Sequence, residues 1–114
     1  MYDDVTSVAL HSALRGLAMR QRTIADNVAN INTPRFLAGR VQFEDALREA
    51  IAAGEPADVG FAMARSMEPT REDGNNVNLD RETLSNVDTG LRYSLVMRAL
   101  DAEYGLLRTA MARF

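Results

Sequence analysis

The sequence predicts an all-α fold: two long N- and C-terminal helices forming an antiparallel coiled-coil hairpin, with a short third helix and an irregular connector between them. Three observations predict it. In the first segment Leu10, Leu14, Leu17, Ile24, Val28 and Ile31 keep the alternating four- and three-residue spacing of one helical seam, with only Gln21 out of character. In the last segment Tyr93, Met97, Leu100, Tyr104, Leu107, Met111 and Phe114 repeat that spacing without a break. Between them, from Gly54 to Asn76, periodicity fails, and Gly, Pro, Asp, Glu and Arg surround scattered apolar residues such as Val59, Phe61, Met63 and Met67. The chain divides accordingly into an N-terminal coiled-coil helix within 1–33, a connector over 34–78 and a C-terminal coiled-coil helix over 79–114, which together form one assembly domain.

The first helix is expected from about Asp4 to Ile31, with Asp3 and Asp4 placed favourably against its N-terminal dipole and Pro34 ending it. Gly16 is a mild weak point, costing up to about 1 kcal/mol relative to Ala in a helix interior. Asn27, Asn30 and Asn32 cluster at the helix end. Asn tolerates the left-handed cap conformation, so the cluster reads either as a helix stop or as a specific contact between subunits.

A short helix is expected over about 43–53, with Phe43, Leu47, Ala50 and Ile51 on one face, Glu44 and Arg48 spaced for an ion pair, and Gly54 and Pro56 as its stop. Asp73-Gly74-Asn75-Asn76 is a turn signal. Asn78 follows as an N-cap, with Asp80 and Glu82 in the first turn of the last helix. Leu84, Val87, Leu91 and Leu95 extend the apolar stripe of that helix one step out of phase, which reads as a stutter in the seam.

Composition narrows the function. The chain has no Cys, no Trp and one His, so disulfides, thiolate chemistry and Cys/His metal cages have no residues to build them. His11 lies beside the seam with no partner constellation, and an exposed or partly packed histidine is expected. Asp73-Gly74-Asn75-Asn76 lacks the alternating acids of a calcium loop. The sequence therefore predicts no catalytic residue, no cofactor and no metal site. All thirteen basic residues are Arg, and net charge is −3, with the excess of acids confined to the connector. The near-neutral helical ends carry no basic run, which argues against nucleic acid or an anionic membrane as partner. No stretch approaches the roughly 20 apolar residues of a membrane span. Asp3 and Asp4 stand where a secretory signal needs basic residues, so any export is expected to be uncleaved and by another route.

Two blocks resemble a known family. Residues 25–36, Ala-Asp-Asn-Val-Ala-Asn-Ile-Asn-Thr-Pro-Arg-Phe, resemble the N-terminal signature of the bacterial flagellar rod and hook axial proteins, written Ala-Asn-Asn-Ile-Ala-Asn-x-Asn-Thr-Pro-Gly-Tyr. The motif positions matched include Asn27, Asn30, Asn32, Thr33 and Pro34. Residues 73–93, beginning Asp73-Gly74-Asn75-Asn76, look like the C-terminal block of the proximal rod members of that family. With Val41-Gln42-Phe43-Glu44 and the final helix, the resemblance covers most of the chain; residues 54–71 match least. Arg35 stands where the family has glycine and Leu37 where it commonly has lysine. A positive φ after Pro34 would be strained for Arg35, so a type I or shifted turn is expected there.

The resemblance implies a structural subunit of the cell-proximal rod of the flagellar basal body. Such a protein joins the membrane ring to the distal rod, transmits torque for motility, and has no enzymatic activity. It implies as partners further copies of the chain, other flagellar rod proteins, the membrane-ring and rod-adaptor proteins, and the flagellar type III export apparatus. It places the protein outside the cytoplasmic membrane without direct insertion. The physics agrees: one hairpin seam leaves apolar residues on a second face, and neighbouring subunits in head-to-tail contact would complete the core and generate a helical tube. The alternative is a self-contained helical adaptor that binds a partner helix.

Overall fold

The computed structural model describes residues 5–112. Asp3, Asp4 and Phe114 lie outside the described residues. Helix α1 spans Val5–Ala29 and helix α3 spans Leu79–Ala112, with a short helix α2 over Glu44–Ala52 between them. At about 1.5 Å per residue α3 is about 51 Å long. The two long helices lie antiparallel. Asn27 near the end of α1 bonds Glu82 at the start of α3, while His11 near the start of α1 meets Tyr104 near the end of α3. The chain is elongated, 66 × 26 × 14 Å with a radius of gyration of 17.7 Å, against about 13 Å for a compact chain of this length.

The connector corrects the all-α expectation. It holds a two-stranded antiparallel sheet, β1 (Gly39–Val41) and β2 (Met63–Arg65), in register Gly39↔Arg65, Arg40↔Ala64 and Val41↔Met63. Three-residue strands are too short to write a two-residue alternation into the sequence. Gly and Arg also give little local strand preference, so tertiary packing makes these strands. A single 3₁₀ turn, Pro56–Asp58, lies against α1, where Ser12 Oγ donates to Pro56 O at 2.6 Å.

The core sits where α1, β1, α2 and α3 converge. Leu17, Val41 and Phe43 form its centre, each almost fully buried, with Ala13, Met19, Leu47, Phe61, Tyr93 and Val96 packed around them. Burying each of the three contributes about 1.5–3 kcal/mol. Gly16 explains how Phe43 fits: a Cβ built there would lie 2.5 Å from the ring, so the residue that reads as a weak point in α1 is the seat of the core aromatic. Phe61 meets Phe43 edge-on with centroids 5.5 Å apart.

Glu44 does not take the expected Arg48 partner. It turns inward to a two-point contact with Arg20, at 2.7 and 2.9 Å, while Arg48 pairs with Asp45 on the surface at 3.3 Å. Arg20 also donates to Val41 O and lies 4.8 Å over the Phe43 ring, so one guanidinium ties α1 to β1 and α2. Helix α2 ends as the sequence indicates. Gly54 takes φ +79°, and its N–H and that of Glu55 close back on the carbonyls of Ile51 and Ala50 at 3.0 and 2.8 Å.

Candidate functional site

The asparagines of the two sequence motifs meet in space. Asn27, still inside α1, is buried and binds both backbone groups of Gly39: Nδ2 donates to its carbonyl at 3.0 Å and Oδ1 accepts from its N–H at 2.8 Å. It stands in for a strand along β1. Asn75 is fully buried, with Nδ2 donating to the carbonyls of Asn30 and Thr33, both at 2.9 Å, and Oδ1 accepting from Val77 N at 2.8 Å. Asn76 reaches the sheet: Oδ1 accepts from Ala38 N at 2.7 Å, and Nδ2 donates to Ser66 O and Glu68 O at 3.1 and 3.2 Å. Carbonyls just past the end of α1, which hold only the turn N–H groups of Thr33 and Phe36, take a second bond from the second motif. The Arg71 guanidinium completes this by donating to Ile31 O and Val77 O.

The two readings of the asparagine cluster therefore separate by residue. Asn27 and Asn30 act within the chain, Asn30 bonding Asp26 O at 2.8 Å and accepting from Thr33 Oγ1 at 3.0 Å. Asn32 and Pro34 are exposed, and the Asn32 amide takes no part in this network. Arg35 corrects the turn expectation. Its φ is +63°, in the left-handed region, and its N–H donates to Asp73 O at 2.8 Å. Gly74, at φ +81°, lies directly beneath it; a Cβ there would stand 3.2 Å from Arg35 Cγ. The two turns are stacked, and glycine at 74 makes room for a side chain at 35. Asn78 caps α3 as expected, Oδ1 accepting from Arg81 N at 3.3 Å.

Glu82 is the residue that sequence reading misplaces. Its position in the first turn of α3 suggests a solvated acid facing the helix dipole, yet it is 0% exposed. Its Oε1 accepts from Arg40 Nη1 at 2.6 Å and from Asn27 Nδ2 at 3.1 Å. Glu68 approaches Arg40 at 3.8 Å and Arg81 at 2.5 Å, so four charges from β1, the connector and α3 share one cluster. Only the pairing of Arg40 with a residue 42 positions away reveals this, and no local pattern carries it.

The seam residues fall into three groups. Leu17, Ile24 and Leu100 are buried within the chain; Leu10, Leu14, Ile31, Tyr93 and Leu107 are half-buried; Val28, Met97, Tyr104 and Met111 are exposed. Leu84, Val87, Leu91 and Leu95 do not continue the seam. At about 100° per residue they occupy a sector centred about 160° from the inward stripe of Glu82, Thr89, Val96 and Leu100. They are 71%, 56%, 64% and 64% exposed. The stutter in the sequence is a second apolar face.

His11 is exposed, and its Nε2 lies 2.9 Å from the Tyr104 hydroxyl. Among the described residues no group of three or more His, Cys, Asp or Glu could hold a metal ion, and no helix is long and apolar enough to cross a membrane. What the geometry offers is an interlocked helical pair with uncovered apolar surface. Residues 9–36 match the model of a family described as flagella basal body rod protein, which gives the class. Longer matches are narrower in kind. The chain is 30% identical to the flagellar basal body rod protein FlgB of Borrelia hermsii over 107 residues, 75% of this chain and 79% of the relative. It is 30% identical to that of Escherichia coli K12 over 112 residues, 80% and 81%, and 24% identical to that of Bacillus subtilis 168 over 115 residues, 90% and 89%. The chain belongs to the FlgB family and is a component of the flagellar basal body rod.

Proposed function

We propose that the chain is a structural subunit of the cell-proximal rod, polymerising through its terminal helices to join the membrane ring to the distal rod and to carry torque. The observation that supports this most is the outward face of α3. Four large apolar residues in a row on a helix already packed on its other side form a surface that water leaves unstable and a neighbouring subunit would cover. In this reading α1 and the inward face of α3 make the chain's own hairpin, with the exposed Val28, Met97, Tyr104 and Met111 adding contacts at its margins. Asn32 and Pro34 present the tip to the next subunit. Its partners are further copies of itself, other rod proteins, and the membrane-ring and rod-adaptor proteins. It reaches them uncleaved through the flagellar type III apparatus and acts by shape and contact, without catalysis.

Immunogold labelling of purified basal bodies tests this. Label confined to the cell-proximal rod is expected. Its absence from basal bodies, with a concentration-independent monomer in solution, would favour the self-contained adaptor instead.

A further inference from the structure

The N-terminal half of α3 packs the wrong face by hydrophobicity. Over its first three turns its inward stripe is Glu82, Ser85 and Thr89, while its outward stripe is Leu84, Val87 and Leu91, continued by Leu95 where the inward side becomes apolar at Tyr93. Burial of apolar surface alone would turn the helix the other way. The inward side also leaves polar atoms unserved: Glu82 Oε2 and Thr89 Oγ1 are buried without a hydrogen-bond partner. Tyr93, Val96 and Leu100 anchor the C-terminal part of the helix in the core, and what opposes rotation of its N-terminal turns is the polar cluster at the helix start. Swinging Glu82 into solvent would strip Arg40 of its 2.6 Å partner and Asn27 of its 3.1 Å one. Breaking a buried charged pair in this way is strongly unfavourable, whereas removing both members together need not be.

We infer that the Glu82–Arg40–Asn27 cluster sets the rotation of α3 about its own axis, holding the polar face against α1 and the leucine face outward. Glu82 is thus a positioning residue that keeps the chain from satisfying its own sticky surface. The inference concerns the single chain and stands whether or not that surface meets another copy.

The absence of native cysteine makes thiol labelling a clean test. Thr89→Cys reports the inward face and Leu91→Cys the outward one. In the otherwise unchanged chain Thr89→Cys should label at least about 100-fold more slowly than Leu91→Cys, because it reacts only on local opening. Adding Glu82→Leu with Arg40→Met removes the pair without stranding a charge, and the gap should fall below about tenfold. Glu82→Gln, which keeps an acceptor for Arg40 and Asn27, should preserve it. Adding Leu84→Gln and Leu95→Gln to the Glu82→Leu/Arg40→Met chain should restore the gap, since the competing face is no longer apolar. A gap that survives loss of the pair would overturn the inference. So would equal labelling in the unchanged chain, or loss of helicity that the two glutamines do not rescue, since a merely stabilising cluster would respond in that way.

Discussion

Asn75 shows how much of this protein depends on single amides. Its two donated bonds serve the Asn30 and Thr33 carbonyls, and its acceptor holds the Val77 N–H that leads into α3. Asn75→Ala takes one bond from each carbonyl, which keep the N–H groups of Thr33 and Phe36, and leaves the buried Val77 N–H without its acceptor, so a loss of about 1–3 kcal/mol is expected in chemical denaturation. Asp73-Gly74-Asn75-Asn76 could be read from sequence as a turn because Gly and Asn favour left-handed backbone. Its partners could not, since they lie as far as 45 residues away. Arg35 shows the same limit: local preference argues against its positive φ, and the stacked turn at Gly74 overrides it. Glu44 gives a pH signature. Burial pushes its carboxyl up, but the Arg20 hydrogen bonds, the backbone N–H groups of Glu44 and Phe43 and the Arg20 charge outweigh that and hold it below the ordinary 4.5. Its contribution is therefore present above that value and lost as pH falls through the depressed one. Thermal midpoints of the unchanged chain and Glu44→Gln should differ near neutrality and converge on acidification; a constant gap would remove Glu44 from the acid limb.

At the level of elements, the same substitution should have opposite signs in the two long helices. Gly16→Ala places a methyl 2.5 Å from the Phe43 ring, and overpacking of about 1–3 kcal/mol outweighs a propensity gain of up to about 1. At Gly90 nothing lies within 4 Å of an added Cβ, so Gly90→Ala should stabilise the isolated chain by up to about 1 kcal/mol. Paired denaturation curves decide this, and two shifts of the same sign would refute the account of the core. The long helices and α2 were readable because seven-residue spacing and end signals are local. The strands were not, because three residues leave no period. The rotation of α3 also escaped reading: its apolar residues run round the helix, and a buried Glu82 looks in sequence like any first-turn acid.

The whole molecule is a 66 Å rod-like body whose termini-bearing helices lie side by side and whose connector folds back onto their midsection. Its connector supplies the sheet, the core aromatic Phe43 and Arg40 of the polar cluster. The consequence is a chain packed on one face of α3 and apolar but uncovered on the other, as the proposed assembly into a rod would require. The most direct test is to place charge on that outward face without touching the core. In cells making only Leu91→Asp/Leu95→Asp protein, rods are counted in purified basal bodies, alongside circular dichroism of the purified variant and an assay of its export. Unchanged helicity, continued export, few or no rods and loss of swimming are expected. Normal rods in normal number, with wild-type motility, would remove the outward face of α3 from assembly.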